Sequence, residues 1–228
     1  MIINTRPVEY DFEMFRAFDR SGHQMLACPV LTSCPLPWPK KAIDNIDALI
    51  VTSRIAVDVI ARKPVSRDLP ILAVGTATAS AARNANFSDV VDGGGTAEKL
   101  LKVIDATPFR AGLYASAHDV SLDLARVRPN RIRRVSIYQM EAAEYLPQSV
   151  IDTFRTDEEI IVPFYSPRSF QIFESLLVKH HLGEHLARAI AVGIHERVLN
   201  KQTLRWGQTR IAAAPDGIGM VEAMRKAA

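Results

Sequence analysis

Cysteine is nearly absent from this chain of 228 residues: only Cys28 and Cys34 occur, in a proline-rich segment. Neither their number nor their spacing suits a disulfide framework or a zinc site, so two reduced thiols are expected. No sign of charge dominates either. Twenty-eight basic against 25 acidic residues leave a net charge of +3, too little for the strong positive field of a general nucleic-acid binder. Every apolar run is broken by a charge or a proline well before membrane-spanning length, and Met1-Ile-Ile-Asn4-Thr5-Arg6 lacks the apolar stretch of a secretion signal. A soluble, cytoplasmic protein follows, with neither nucleic acid nor membrane as a partner.

Familiar catalytic signatures are missing as well. No Gly-Lys-Ser/Thr follows Gly93-Gly94-Gly95, and Gly75 opens no G-x-G-x-x-G, which disfavours a nucleotide-dependent enzyme and makes the three glycines a tight turn. Neither a Ser-His-Asp set, a Cys-His pair nor a pair of carboxylates gathers in the sequence. His181 and His185 have the four-residue spacing of ligands on one helix face, yet only Glu184 accompanies them, so no metal is expected.

What is present is a repeated device. Ala48-Leu-Ile-Val-Thr52-Ser53-Arg54 and Ile71-Leu-Ala-Val-Gly75-Thr76-Ala77-Thr78 are short apolar runs that end in small hydroxylated residues and lead into helical periodicity. Such runs are the pattern of buried parallel strands feeding crossover helices. Both strands should end on one edge of one sheet, where exposed N–H groups and helix N-termini favour anions. Ala111-Gly-Leu-Tyr114-Ala-Ser116 is a third such run, with a helix expected through Leu122, Leu124 and Val127. Thr96 is placed to cap a helix over 97–104.

The second half repeats the first. Ile160-Ile-Val-Pro-Phe-Tyr165-Ser166-Pro167 echoes Leu49 to Ser53, Ala189-Ile-Ala-Val-Gly193 echoes Leu72 to Gly75, and Ala214-Pro215-Asp216-Gly217 echoes Gly94 to Thr96. Two similar α/β units follow. The prolines from Ala27 to Pro39 impose an extended crossing, and Val135 to Met140 alternates as a second strand. The expected organisation is therefore a discontinuous domain of 1–31 plus 140–228, an inserted domain of 35–134, and linker strands at about 28–34 and 135–140. Met1 to Thr5 should form the first strand, and Phe12, Phe15 and Phe18 a helix after it. The fold class is α/β: two flavodoxin- or Rossmann-like parallel-sheet domains joined by a two-stranded ladder, with the active site in the cleft between them. Arg6, just past the first strand, is either a solvated loop residue or a guanidinium set for a carboxylate. The arginines at 126, 128, 131, 133 and 134 read as a solvated basic loop or, alternatively, as a substrate funnel.

This ordered set resembles the uroporphyrinogen-III synthase family over nearly the whole chain. The resemblance rests on Thr5-Arg6-Pro7, Thr52-Ser53 with Ala56-Val57, Ala73-Val74-Gly75-x-Ala77-Thr78-Ala79, Tyr138-Gln139, Phe164-x-Ser166-Pro167 and Ala191-Val192-Gly193. It implies an enzyme without metal or cofactor that closes the linear tetrapyrrole hydroxymethylbilane to uroporphyrinogen III with ring D inverted. The hydroxyl on ring A leaves as water, an azafulvene forms, and a spiro intermediate reverses ring D. The substrate also closes unaided to the other isomer, so the enzyme's main task is holding one geometry. The resemblance further implies a monomer that meets the preceding pathway enzyme in passing.

By the same resemblance Tyr138 assists hydroxyl departure from an exposed cleft position, or else is an amphipathic tyrosine packed on the linker. Arg6, Thr52, Ser53, Gly75, Thr76, Ala77, Thr78, Ser116, Ser166, Pro167, Gly193 and Ile194 would receive the eight substrate carboxylates. The pattern departs at Ile194-His195-Glu196, where the family has a small hydroxylated stretch, and at Ser116-Ala117-His118, where Arg-Gly is more usual. These departures favour an alternative: a binder of an anionic small molecule that diverged from the family and lost catalysis.

Overall fold

The computed structural model describes residues 1–7, 24–156 and 158–225, and the helix expected over Phe12, Phe15 and Phe18 lies outside them. The chain divides into two compact units, Ser33–Met140 and Met1–Thr32 with Glu141–Ala228.

In the first of these, β4 (Ala48–Val51) is wholly buried, as expected of an apolar run closed in on both faces. It feeds α1 (Arg54–Ala61), whose N-cap Ser53 accepts from Ala56 N–H and whose Ile55, Val57, Val59 and Ile60 are buried. The second copy gives β5 (Ile71–Ala73) and α2 (Thr76–Asn84). Then come β6 (Val90–Asp92), α3 (Ala97–Ala106) capped by Thr96, and β7 (Gly112–Ala117).

The helix expected through Leu122 is shorter than its apolar spacing suggests. Only α4 (Leu124–Val127) forms, capped by the Asp123 carboxylate. Pro129 disfavours helical backbone at Arg128 and stops it there. The following strand is longer than its alternation suggested: β8 runs Ile132–Ala142, starting inside the arginine cluster. Leu36 N–H donates to Ile137 O and Ala143 N–H to Val30 O, so β8 runs antiparallel to β3 (Leu31–Pro35).

The other unit contains β1 (Ile2–Asn4), β2 (Met25–Ala27), β9 (Ile160–Phe164), β10 (Ala189–Gly193) and β11 (Gln208–Ile211). Its helices are α5 (Gln148–Phe154), α6 (Pro167–Lys179), α7 (Glu196–Leu199) and α8 (Gly217–Arg225). The rings of Phe164, Phe170, Phe173 and Trp206 pack together in its core.

Val51 and Val162 belong to different sheets, of order β3-β8-β7-β4-β5-β6 and β11-β10-β9-β1-β2. Apart from β3 beside β8, neighbouring strands pair in parallel. Matching β9, β10 and β11 to β4, β5 and β6 makes the two orders coincide spatially, with β1 standing for β7 and β2 for β8. One sheet takes these last two strands from the start of its chain and the other from the end, a circular permutation. In each sheet the strand order reverses at one point, between β4 and β7 or between β9 and β1. Ligand sites of open α/β sheets lie beyond the strand ends at that reversal.

Candidate active site

At the β4/β7 reversal the strand ends enclose a cavity of about 290 Å³ lined by Thr52, Ser53, Gly95, Tyr114, Ala117 and Tyr138, among others. Two consecutive hydroxyls at the end of β4 each meet a tyrosine from a different strand. Thr52 Oγ1 lies 3.2 Å from the Tyr114 hydroxyl, and Ser53 Oγ lies 2.9 Å from that of Tyr138. Burial, opposed by the hydrogen bond from Thr52 and by the nearby Arg134 charge, raises the Tyr114 phenol above its ordinary value. It is held as a neutral hydroxyl. Tyr138 is only 5% exposed, not the open position expected of it.

The glycine loop forms the next stretch of this edge. Gly94 and Gly95 have φ of +83° and +98°, backbone that side chains rarely adopt. Asp92 fastens the loop by accepting from Gly94 N–H and Thr76 Oγ1. These two bonds, with the Arg83 charge, hold its carboxyl below the usual range. Gly75 is the N-cap of α2, Thr76 and Ala77 are exposed in its first turn, and Thr78 is buried. Ser116 is also buried: its hydroxyl donates to Ala117 O and accepts from Arg134 Nε.

The arginine cluster is occupied structurally. Arg134 also pairs with Asp123 at 3.1 Å and donates to Ala117 O and His118 O. Burial would raise the Asp123 carboxyl, but the Arg134 bond and charge outweigh it and hold it low. Arg128 forks onto Asp105, Arg131 takes Thr107 O and Phe109 O, and Arg133 takes Ala42 O. Arg126, beside Asp123 at 3.7 Å, is largely exposed, and Arg133 keeps its bond to Ala42 O from an exposed position. The cluster ties loops to the sheet.

At the β9/β1 reversal of the other sheet, Thr5 Oγ1 donates to Pro163 O at 2.7 Å. The Arg6 guanidinium lies 4.2 Å from the centre of the Tyr165 ring, stacked as a cation on an aromatic face. Ser166 caps α6 by accepting from Ser169 N–H, with Pro167 in the first turn. Gly193 ends β10, and Ile194 N–H donates to Phe164 O. His195 spends Nδ1 on Arg197 N–H as the cap of α7, while Glu196 is exposed. His181, at φ +57°, lies past the end of α6, and His185 is in a separate 3-10 turn. Among the described residues no group of three His, Cys, Asp or Glu could hold a metal ion, and no helix is long and apolar enough to cross a membrane.

The family described as uroporphyrinogen-III synthase HemD matches residues 13–222. The chain belongs to the uroporphyrinogen-III synthase family. Members are cyclising hydro-lyases of haem biosynthesis that act on a tetrapyrrole, and that is the activity of this chain. Two solved structures share the fold. The uroporphyrinogen-III synthetase of Helicobacter pylori is 17% identical, with a TM-score of 0.68 over 99% of this chain and 98% of that one. A mutant uroporphyrinogen-III synthase of Thermus thermophilus is 15% identical, with a TM-score of 0.52 over 99% and 97%. No curated protein sequence matches significantly.

Within this synthase, sequence reasoning reached Thr52, Ser53 and Tyr138 but missed Tyr114, which lines the same cavity. Tyr114 sits inside an apolar run, where a tyrosine reads as core. A hydroxylated residue at the end of the neighbouring strand was the one available signal.

Proposed function

We propose that this uroporphyrinogen-III synthase closes hydroxymethylbilane with ring D inverted, using Tyr138 as the acid that lets the ring A hydroxyl depart as water. The units 33–140 and 1–32 with 141–228 act in this reading as two domains joined through β3 and β8. Both strand-end rims receive substrate carboxylates. Thr52, Ser53, Gly75, Thr76, Ala77 and Thr78 belong to one rim, and Arg6, Ser166, Pro167, Gly193 and Ile194 to the other. The enzyme works as a cytoplasmic monomer without a cofactor and takes its substrate from the preceding enzyme of the pathway.

The observation that carries this reading is the Tyr138 hydroxyl, 2.9 Å from Ser53 Oγ beside a cavity at the strand-order reversal. A phenol is a weak acid, with an ordinary pKa of about 10. It suffices here because the pyrrole nitrogen's lone pair pushes the hydroxyl out. Phenol to hydroxyl transfer then gives water and an azafulvenium, and loss of the pyrrole N–H proton gives the azafulvene. Ring D attacks it at its substituted carbon, and the spiro intermediate fragments and recloses. Exposed N–H groups at the first turn of α2 offer hydrogen bonds to carboxylates, as Arg6 offers a charge.

The test is Tyr138→Phe. Folding should persist, since one hydroxyl is lost, and kcat should fall roughly 10- to 1000-fold, as when a single acid or donor is removed. An unchanged kcat where chemistry limits turnover removes Tyr138 from the role.

A further inference from the structure

Ser53 uses one oxygen for two partners. Its Oγ accepts the Ala56 N–H at 3.0 Å as the cap of α1 and meets the Tyr138 hydroxyl at 2.9 Å. Thr52 does not duplicate it, because its own hydroxyl is turned to Tyr114. A serine oxygen has two lone pairs and one hydrogen. Ala56 occupies one lone pair, so the other lone pair or the hydrogen faces Tyr138.

While Tyr138 keeps its proton, either hydroxyl can be the donor. A phenolate has lone pairs and no hydrogen, so once that proton has gone to the substrate only Ser53 can donate. The contact thereby changes from a neutral hydrogen bond to a charge-assisted one, roughly twice as strong. An interaction that strengthens on the way to the transition state raises kcat more than it tightens binding. The Ala56 N–H, at the positive end of the eight-residue α1, polarises the Ser53 hydroxyl in the sense that favours donation.

We propose that Ser53 is a positioning residue that fixes the Tyr138 oxygen and donates to it as its proton departs. This role rests on Tyr138 being the acid. In that step the phenol O–H breaks and a new O–H forms on the hydroxymethyl oxygen. The C–O bond breaks with its electron pair going to the departing water, and the pyrrole nitrogen's lone pair forms the azafulvenium double bond. The proton later lost from the pyrrole nitrogen balances the one Tyr138 gave and restores the phenol.

The experiment measures kcat, KM and unfolding temperature for Ser53→Ala, Ser53→Gly and Ser53→Thr, with Ser53→Ala repeated in the Tyr138→Phe background. Ala and Gly should each lower kcat on the order of 10- to 100-fold, the scale of one lost donor to a developing oxyanion, with KM little moved. Thr, which keeps the hydroxyl, should recover most of that loss. Glycine is nearly as good an N-cap as threonine, so a loss shared by Ala and Gly but not by Thr is no effect of the helix cap. In the Tyr138→Phe background Ser53→Ala should change kcat by less than about twofold, because its partner is already gone. Equal losses in both backgrounds, or no loss in the parent, overturn the role of Ser53 while leaving Tyr138 as the acid. An unchanged kcat for Tyr138→Phe itself overturns both.

Discussion

A Cβ added to Gly75 would stand 2.8 Å from Gly95 Cα and 3.1 Å from its nitrogen. The start of α2 and the glycine loop after β6 are in direct backbone contact, reinforced where Gly95 N–H donates to Val74 O at 2.7 Å. Gly75 itself is extended, so space rather than backbone freedom demands glycine there.

Gly75→Ala must therefore push the loop outward. Overpacking of this kind costs about 1–3 kcal/mol, and because Gly95 lines the cavity the same shift should lower kcat. Denaturant unfolding together with steady-state kinetics checks both. Parent stability and rate in this variant would mean that the loop yields freely.

Glu174 and Trp206 form a second such relationship, inside the aromatic core. Glu174 is 2% exposed, and its two oxygens accept from Thr203 N–H and Oγ1, Leu204 N–H and Trp206 Nε1–H. Glu174→Gln replaces one oxygen by an NH2 that faces donors, leaving buried groups unpaired at about 1–3 kcal/mol each. Reduced stability with a shifted Trp206 fluorescence is expected. Unchanged stability would show that the segment 203–206 repacks without the carboxylate.

The strand-helix devices were legible because their causes are local. Four buried apolar residues ending at Thr52-Ser53 announce a strand and a cap wherever they occur, and Thr96 caps α3 by the same logic. What was not legible depends on distant partners. Strand β11, Gln208–Ile211, is a mostly exposed edge strand with polar residues, so it carries no apolar pattern. Strand β2 is three half-exposed residues placed only by β1. The arginines between 126 and 134 look alike in sequence, and only the positions of Asp105, Asp123 and five backbone carbonyls tell a structural clamp from a funnel. Thr52 and Ser53 carry the strand-end hydroxyls of a carboxylate receiver, yet their tyrosine partners appear only once β7 and β8 are ordered beside β4.

The thiol of Cys28 is buried, and burial pushes its pKa up to about 12. An unfolded thiol ionises near 8.5. Between these values the unfolded chain loses a proton that the folded one keeps. This stability is therefore fully present below pH 8.5 and lost progressively as pH rises toward 12, by at most about 1.4 kcal/mol per pH unit. Unfolding curves from pH 8 to 11 should show a decline that is shallower in Cys28→Ala. Identical slopes for the two proteins would contradict it.

If the chain directs ring closure with inversion, the identity of its product reports this more sharply than its rate. The measurement is the isomer composition formed from freshly generated hydroxymethylbilane, separated chromatographically as uroporphyrins after oxidation, across a range of enzyme concentrations. Isomer III should dominate once enzyme outpaces spontaneous closure, with the fraction of isomer I falling as enzyme rises. Isomer I alone, in the amount formed without protein at every concentration, would contradict it.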